Sequence, residues 1–152
     1  MTFTPQGFSI VAALLDKGVQ ISNPGSLEIA DDVDPGRISG DGVTIHAGCR
    51  IRGAKTVIGA GSTLGAEGPV TIENCQLGRG VELKGGYFAK AVFLDRANMG
   101  LAGHVREGSI LEEESGGAHC VGLKQTILFP FVPLGGLVIF CDCLMAGGTC
   151  RK

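Results

Sequence analysis

The chain has 152 residues, 44% of them hydrophobic, with 26 Gly, one Tyr and no Trp, so it can form one domain whose interior is built from small and aliphatic side chains. A net charge of -2 and a pI near 5.9, with thirteen Lys and Arg scattered along the sequence, exclude the basic surface that nucleic acid would require. Six cysteines with no CxxC pair make no disulfide framework; they point to a reducing compartment in which most of them act as small buried hydrophobes.

The N-terminal stretch MTFTPQGFSIVAALLDKG has an apolar run but no preceding positive charge and no small-residue cleavage site, so it does not read as a signal peptide and the expected location is the cytoplasm. Ser9 stands where it can cap a short helix through Ala12, Ala13, Leu14 and Leu15, and Gly18 follows the last turn. SNPGS at 22–26 is a turn-rich link. Residues 1–26 are therefore read as a helix and linker, and residues 27–152 as a second region with a rhythm of its own.

That rhythm starts with IADDVD and is clearest in Ile45, Ile51, Ile58, Leu64, Val70, Leu77 and Leu83, which stand 6, 7, 6, 6, 7 and 6 residues apart. Neither a period of two nor one of 3.6 produces this spacing. IGAGST at 58–63, LGAEGP at 64–69 and LGRGVE at 77–82 each read aliphatic, Gly, two variable, small or aliphatic, one variable. A hexad can be one flat strand plus a corner. Three hexads then complete a coil of roughly 18 residues, and coils stack at about 4.8 Å, the spacing of neighbouring strands. Over residues 28–150 this predicts about six or seven coils in a column on the order of 30 Å tall. The helix would cap one end with Val11, Leu14 and Leu15. GGTCRK follows the most apolar segment directly, leaving the other end open, so the expectation is a C-terminally shortened chain.

ILFPFVPLGGLVIFCDCLM at 127–145 has about the length of a membrane span, but Pro130, Pro133, Gly135, Gly136 and Asp142 interrupt it. It reads as buried strands and turns, so no membrane partner is expected.

The hexads resemble the left-handed parallel β-helix of the hexapeptide acyltransferases, an all-β fold with a short N-terminal helix. ALLDKGVQISNPGSLEI is similar to the linker helix and first coil of the bifunctional UDP-N-acetylglucosamine pyrophosphorylase / glucosamine-phosphate acetyltransferase family, and VREGSILEEESGGAHCVGLKQ is similar to that family's Arg-Pro-Gly followed by Phe-Val-Glu-Met-Lys-Lys. The resemblance spans most of residues 12–150. It implies a homotrimer with a sugar phosphate or sugar nucleotide and acetyl-CoA in clefts between columns. Arg106 matches the family's sugar-phosphate arginine, and Lys124 its substrate lysine at the same separation; a guanidinium grips phosphate through two hydrogen bonds, and an ammonium adds a point charge.

The register of the family's catalytic histidine falls on Asp142, after an apparent one-hexad insertion at FPFVPL. An ordinary aspartate is a poor base for an amine nucleophile at neutral pH. The family's Asn-Tyr-Asp-Gly element, its acetyl-CoA-holding C-terminal coils and its nucleotidyl-transferase half have no counterpart in these residues, so acetyl-CoA binding and acetyl transfer are not expected of this chain.

The remaining polar residues add little. His46, His104 and His119 share no short motif with a carboxylate, and they read as turn or surface residues; His104, two positions before Arg106, is the one that could join it on one face of a strand. Glu112, Glu113 and Glu114 read as a solvated turn rather than a divalent-cation patch, and Cys141 and Cys143 lack the partners a zinc site needs. No metal is predicted. Two readings of different class stand beside each other: a sugar-phosphate-binding relative of the acetyltransferases, and a non-catalytic trimerisation module. A third, a zinc enzyme of β-helix fold, would need three suitably placed histidines, which this spacing does not supply.

Overall fold

In the computed structural model, which describes residues 7–147, short runs of two to four residues form twenty strands that stack into three parallel sheets. The first face carries seven strands: Gln20–Ile21, Thr44–Ile45, Thr63–Leu64, Glu82–Leu83, Asn98–Met99, Gly116–Gly117 and Pro133–Leu134. The second also carries seven, from Glu28–Ile29 and Arg50–Arg52 through Val70–Glu73, Gly86–Ala89, Gly103–Val105 and Gly122–Lys124 to Ile139–Cys141. The third carries six, from Val57–Ile58 to Leu144–Met145. This is a parallel β-solenoid. The first strand already lies at Gln20, ahead of residue 27, and pairs with Thr44–Ile45.

The hexad rhythm has the physical origin expected of it. Ile45, Ile51, Ile58 and Leu64 fall on the first, second, third and again the first face. All seven aliphatic residues from Ile45 to Leu83 are buried. From Thr44 onward, first-face partners are 16 to 19 residues apart; the first coil is wider, with 24 residues from Gln20 to its partner Thr44, because it accommodates two single-turn 3-10 helices, Pro24–Ser26 and Pro35–Arg37. One stacking position differs from the sequence reading. Ile51 has Ile72 rather than Val70 as its partner, and Val70 pairs with Gly86. The cause is the corner at 65–69, where the amides of Glu67 and Gly68 both donate to the Lys84 carbonyl at 2.9 Å, so the corner consumes two more residues than a hexad allows.

Most corners in the second half are not glycine. Asn74, Lys90, Arg96, Glu114, Cys120, Gln125, Phe131, Leu137 and Asp142 all have φ between 48° and 62° or close above, with Phe131 at 64°. This backbone region is costly for residues with a Cβ. In each of these nine residues the N–H donates to a carbonyl of the coil below, as from Arg96 to Arg79 at 2.7 Å and from Asp142 to Lys124 at 3.1 Å, so the hydrogen-bond ladder holds the corner in place.

The N-terminal helix, Phe8–Asp16, begins differently from the sequence expectation. Gly7, with φ 83°, occupies the cap position and no side chain caps the helix; Ser9 lies inside the first turn. A Cβ on Gly7 would sit 2.0 Å from the Ile29 carbonyl oxygen, so close packing against the first coil sets the start of the helix in place of a hydroxyl cap. Val11 and Leu14 are buried against that coil, but Leu15 faces solvent. Lys17 Nζ donates to the carbonyls of Pro35 and Ile38 and ties the end of the helix to the wide corner.

Two rings, Phe88 and Phe93, meet edge to face at 5.8 Å in mid-column. Gly117 takes an inward position where the rhythm would place an aliphatic residue, and Val121 fills the space. Burial fades toward the C-terminal end. Leu128, Val132 and Leu134 belong to the core, whereas Leu137, Ile139 and Leu144 are 78%, 77% and 62% exposed, so the 127–145 segment is only partly the buried unit that its composition suggested. No described helix is long and apolar enough to cross a membrane.

Candidate functional site

Outward side chains of the second face run in two parallel columns, because alternate residues of a strand point the same way and the strands are in register. One column places Tyr87, His104, Gly122 and Ile139 in succession. The other brings Arg106 beside Lys124 and Lys124 beside Cys141. Val105 and Leu123, between the columns, point into the core. Since Gly122 has no side chain, a groove of about 410 Å³ opens between His104 and Ile139, lined also by Arg106, Lys124, Cys120 and Cys141.

His104, Arg106 and Lys124, the residues singled out in the sequence, thus line one groove. His104 and Arg106 share a face as their spacing implied, and His104 leans on Tyr87 with ring centroids 5.4 Å apart. Arg106 and Lys124 come together through the solenoid pitch. Asp142 is not among the residues that line the groove: it occupies the exposed corner just after Cys141, with φ 56°. FPFVPL follows the regular course of the coil, carrying Leu134 onto the first face in register with Gly117.

The sequence reading missed Glu107. Its carboxylate lies 3.3 Å from Arg106 Nε and 3.6 Å from Lys124 Nζ, so one anion bridges both cations, with the three side chains 41–48% exposed. Its own backbone amide contributes most to holding the carboxyl below its ordinary pKa of 4.5; desolvation opposes this, and the Arg106 charge and hydrogen bond and then the Lys124 charge add to the lowering. The only sequence signal was adjacency in VREGS. Gly122 and Ile139, which shape the groove floor and rim, gave no signal at all.

Among the described residues most cysteines are not buried, contrary to expectation. Cys49 and Cys75 are buried; Cys120 and Cys141 are exposed, Cys143 is half-buried, and Cys150 lies outside the described residues. Burial pushes the Cys49 thiol up and the Cys75 thiol to about 11. Outward-facing strand positions and corners account for the exposed ones. His46 is half-buried and His119 exposed, neither lines the groove with His104, and Glu114 turns back to pair with Arg96 at 3.0 Å. Among the described residues no group of three or more His, Cys, Asp or Glu is placed to hold a metal ion.

No family model matches the chain, and no curated protein matches it.

Proposed function

We propose that this β-solenoid is a sugar-phosphate-binding relative of the left-handed β-helix acetyltransferases of the UDP-N-acetylglucosamine pyrophosphorylase type. It takes a phosphorylated amino sugar or its nucleotide in the second-face groove and closes the site with a neighbouring column of a trimer. One observation carries the reading: Arg106 and Lys124, together with His104, line a single groove with an open glycine floor, although 18 residues separate the two cations in the chain. Two donors of this kind on a ledge suit a phosphate, and the apolar floor suits the face of a sugar ring. Acetyl transfer is not part of the proposal, since Asp142 is exposed at a corner and does not line the groove.

The test is calorimetric titration with glucosamine 1-phosphate, UDP-N-acetylglucosamine and acetyl-CoA. The expected result is binding of a sugar phosphate that Arg106→Ala weakens by about 1–3 kcal/mol, the scale of a charge-assisted hydrogen bond. Binding of neither glucosamine 1-phosphate nor UDP-N-acetylglucosamine would refute it, whatever acetyl-CoA does. The second reading, a non-catalytic self-association module, draws on the exposed Leu137, Ile139 and Leu144. A trimer by light scattering that binds none of the three ligands would favour it.

A further inference from the structure

A second cationic pocket lies apart from the groove, at the edge between the second and third faces. Five residues separate Ile51 from Val57 in one coil, whereas three separate their register partners Ile72 and Gln76 in the next, and three again separate Phe88 from Val92. The longer corner carries Lys55 out to Asn74, whose Oδ1 accepts from the Lys55 amide at 3.1 Å. This hydrogen bond orients the carboxamide and leaves its NH2 group as a donor. Lys90 occupies the corresponding corner of the following coil. Between them a pocket of about 280 Å³ is lined by Lys55, Asn74, Gln76, Lys90, Ala91 and Val92.

Two observations mark this pocket as a place for an anion. Of the five lysines among the described residues, Lys17, Lys84 and Lys124 each have a partner for Nζ; Lys55 and Lys90, both exposed, have none, and both line this pocket. No described carboxylate lines it with them. The second observation is Gln76. The outward column of the third face runs Val57, Gln76, Val92, Ile110, Ile127 and Leu144, so the single polar residue in it stands on the coil between the two lysines. Lys55 and Lys90 are on coils two apart, a backbone separation of about 9.6 Å at the strand spacing. Two ammonium groups so placed repel each other and resist convergence on one small centre, whereas two carboxylates on one short chain meet each where it stands. We propose that this pocket binds a short-chain dicarboxylate, one carboxylate on Lys55 and the Asn74 amide, the other on Lys90 and the Gln76 amide, with the carbon chain against Ala91 and Val92. The site is independent of the sugar-phosphate reading.

The experiment is an NMR titration of the 15N-labelled chain with succinate at neutral pH and constant ionic strength, with acetate and inorganic phosphate as comparison ligands. It is run on the wild-type chain, Lys55→Gln and Lys90→Gln; both substitutions lie at exposed corners and leave the core intact. Succinate should produce saturable shifts at the backbone amides of Lys55 and Lys90 and the side-chain amides of Asn74 and Gln76. It should bind at least about tenfold more tightly than acetate, the scale of one added charge-assisted hydrogen bond. Either variant should bring succinate to within about twofold of acetate, because a dicarboxylate held at one end gains nothing from the other. Succinate no tighter than acetate, phosphate tighter than succinate, or variants that leave succinate binding unchanged would overturn the assignment. Shifts centred on His104 and Lys124 would put the ligand in the second-face groove and overturn it as well.

Discussion

Leu64→Ala tests the single-file core directly. Leu64 is fully buried on the first face between Ile45 and Leu83, its register partners above and below. Truncation removes three carbons, about 2.4 kcal/mol at about 0.8 kcal/mol per buried methylene, and the vacated space adds a cavity cost. The neighbouring coils cannot close over it. The His46 amide donates to the Leu64 carbonyl at 2.9 Å and the Gly65 amide to the Leu83 carbonyl at 2.8 Å, so the backbone on both sides is held at the pitch of the ladder. The expected loss is about 3 kcal/mol, with a melting temperature lower by about 6–12 °C for a chain of this size. Urea denaturation followed by circular dichroism measures it, with Leu137→Ala as the surface control, expected within about 0.5 kcal/mol of wild type. Leu64→Asp, which places an unpaired carboxylate in the same position, should prevent folding altogether. A Leu64→Ala protein within about 1 kcal/mol of wild type, or a soluble Leu64→Asp protein with an unchanged spectrum, would refute the reasoning.

Two other outcomes follow from the same geometry. Gly86→Ala should cost about 3 kcal/mol or more, because φ is 133° there and the new Cβ would lie 2.0 Å from the Gly103 carbonyl oxygen, whereas Gly135→Ala, with no heavy atom within 4 Å, should be near neutral; urea midpoints of the two variants decide it. Iodoacetamide on the native protein should label the exposed Cys120 and Cys141 and spare Cys49 and Cys75 until denaturant is added, since burial excludes the reagent and keeps those two thiols protonated; mass spectrometry of the digested chain reads the pattern, and early labelling of Cys75 would contradict its placement in the core.

The architecture was legible in the sequence because a hexad rhythm is a local property. One inward aliphatic residue per face is needed wherever the coil stands, so Ile45, Ile51, Ile58 and Leu64 announce three faces before any contact between them is known. The residues Arg106, Lys124 and His104 were legible only as candidates, and the repeat length made their convergence calculable. Their environment was not. Glu107 became the shared counterion only once two coils were stacked, since it bridges its sequence neighbour and a residue one coil away.

The local details that failed did so for the same reason. Ser9 has the chemistry of a helix cap, but the close approach of Gly7 to Ile29, a contact across 22 residues, sets the helix start instead. Val70 is in the core as its spacing implies, but two amides at the 65–69 corner converge on the Lys84 carbonyl of the next coil and hand the place stacked on Ile51 to Ile72. Composition and period determine which residues go inside and how many faces the column has. Which residue stacks on which, which corners can do without glycine, and which charges meet on the second face are decided between coils. Those interactions join residues about one coil apart, where hydrogen-bond register rather than sequence proximity sets the distance.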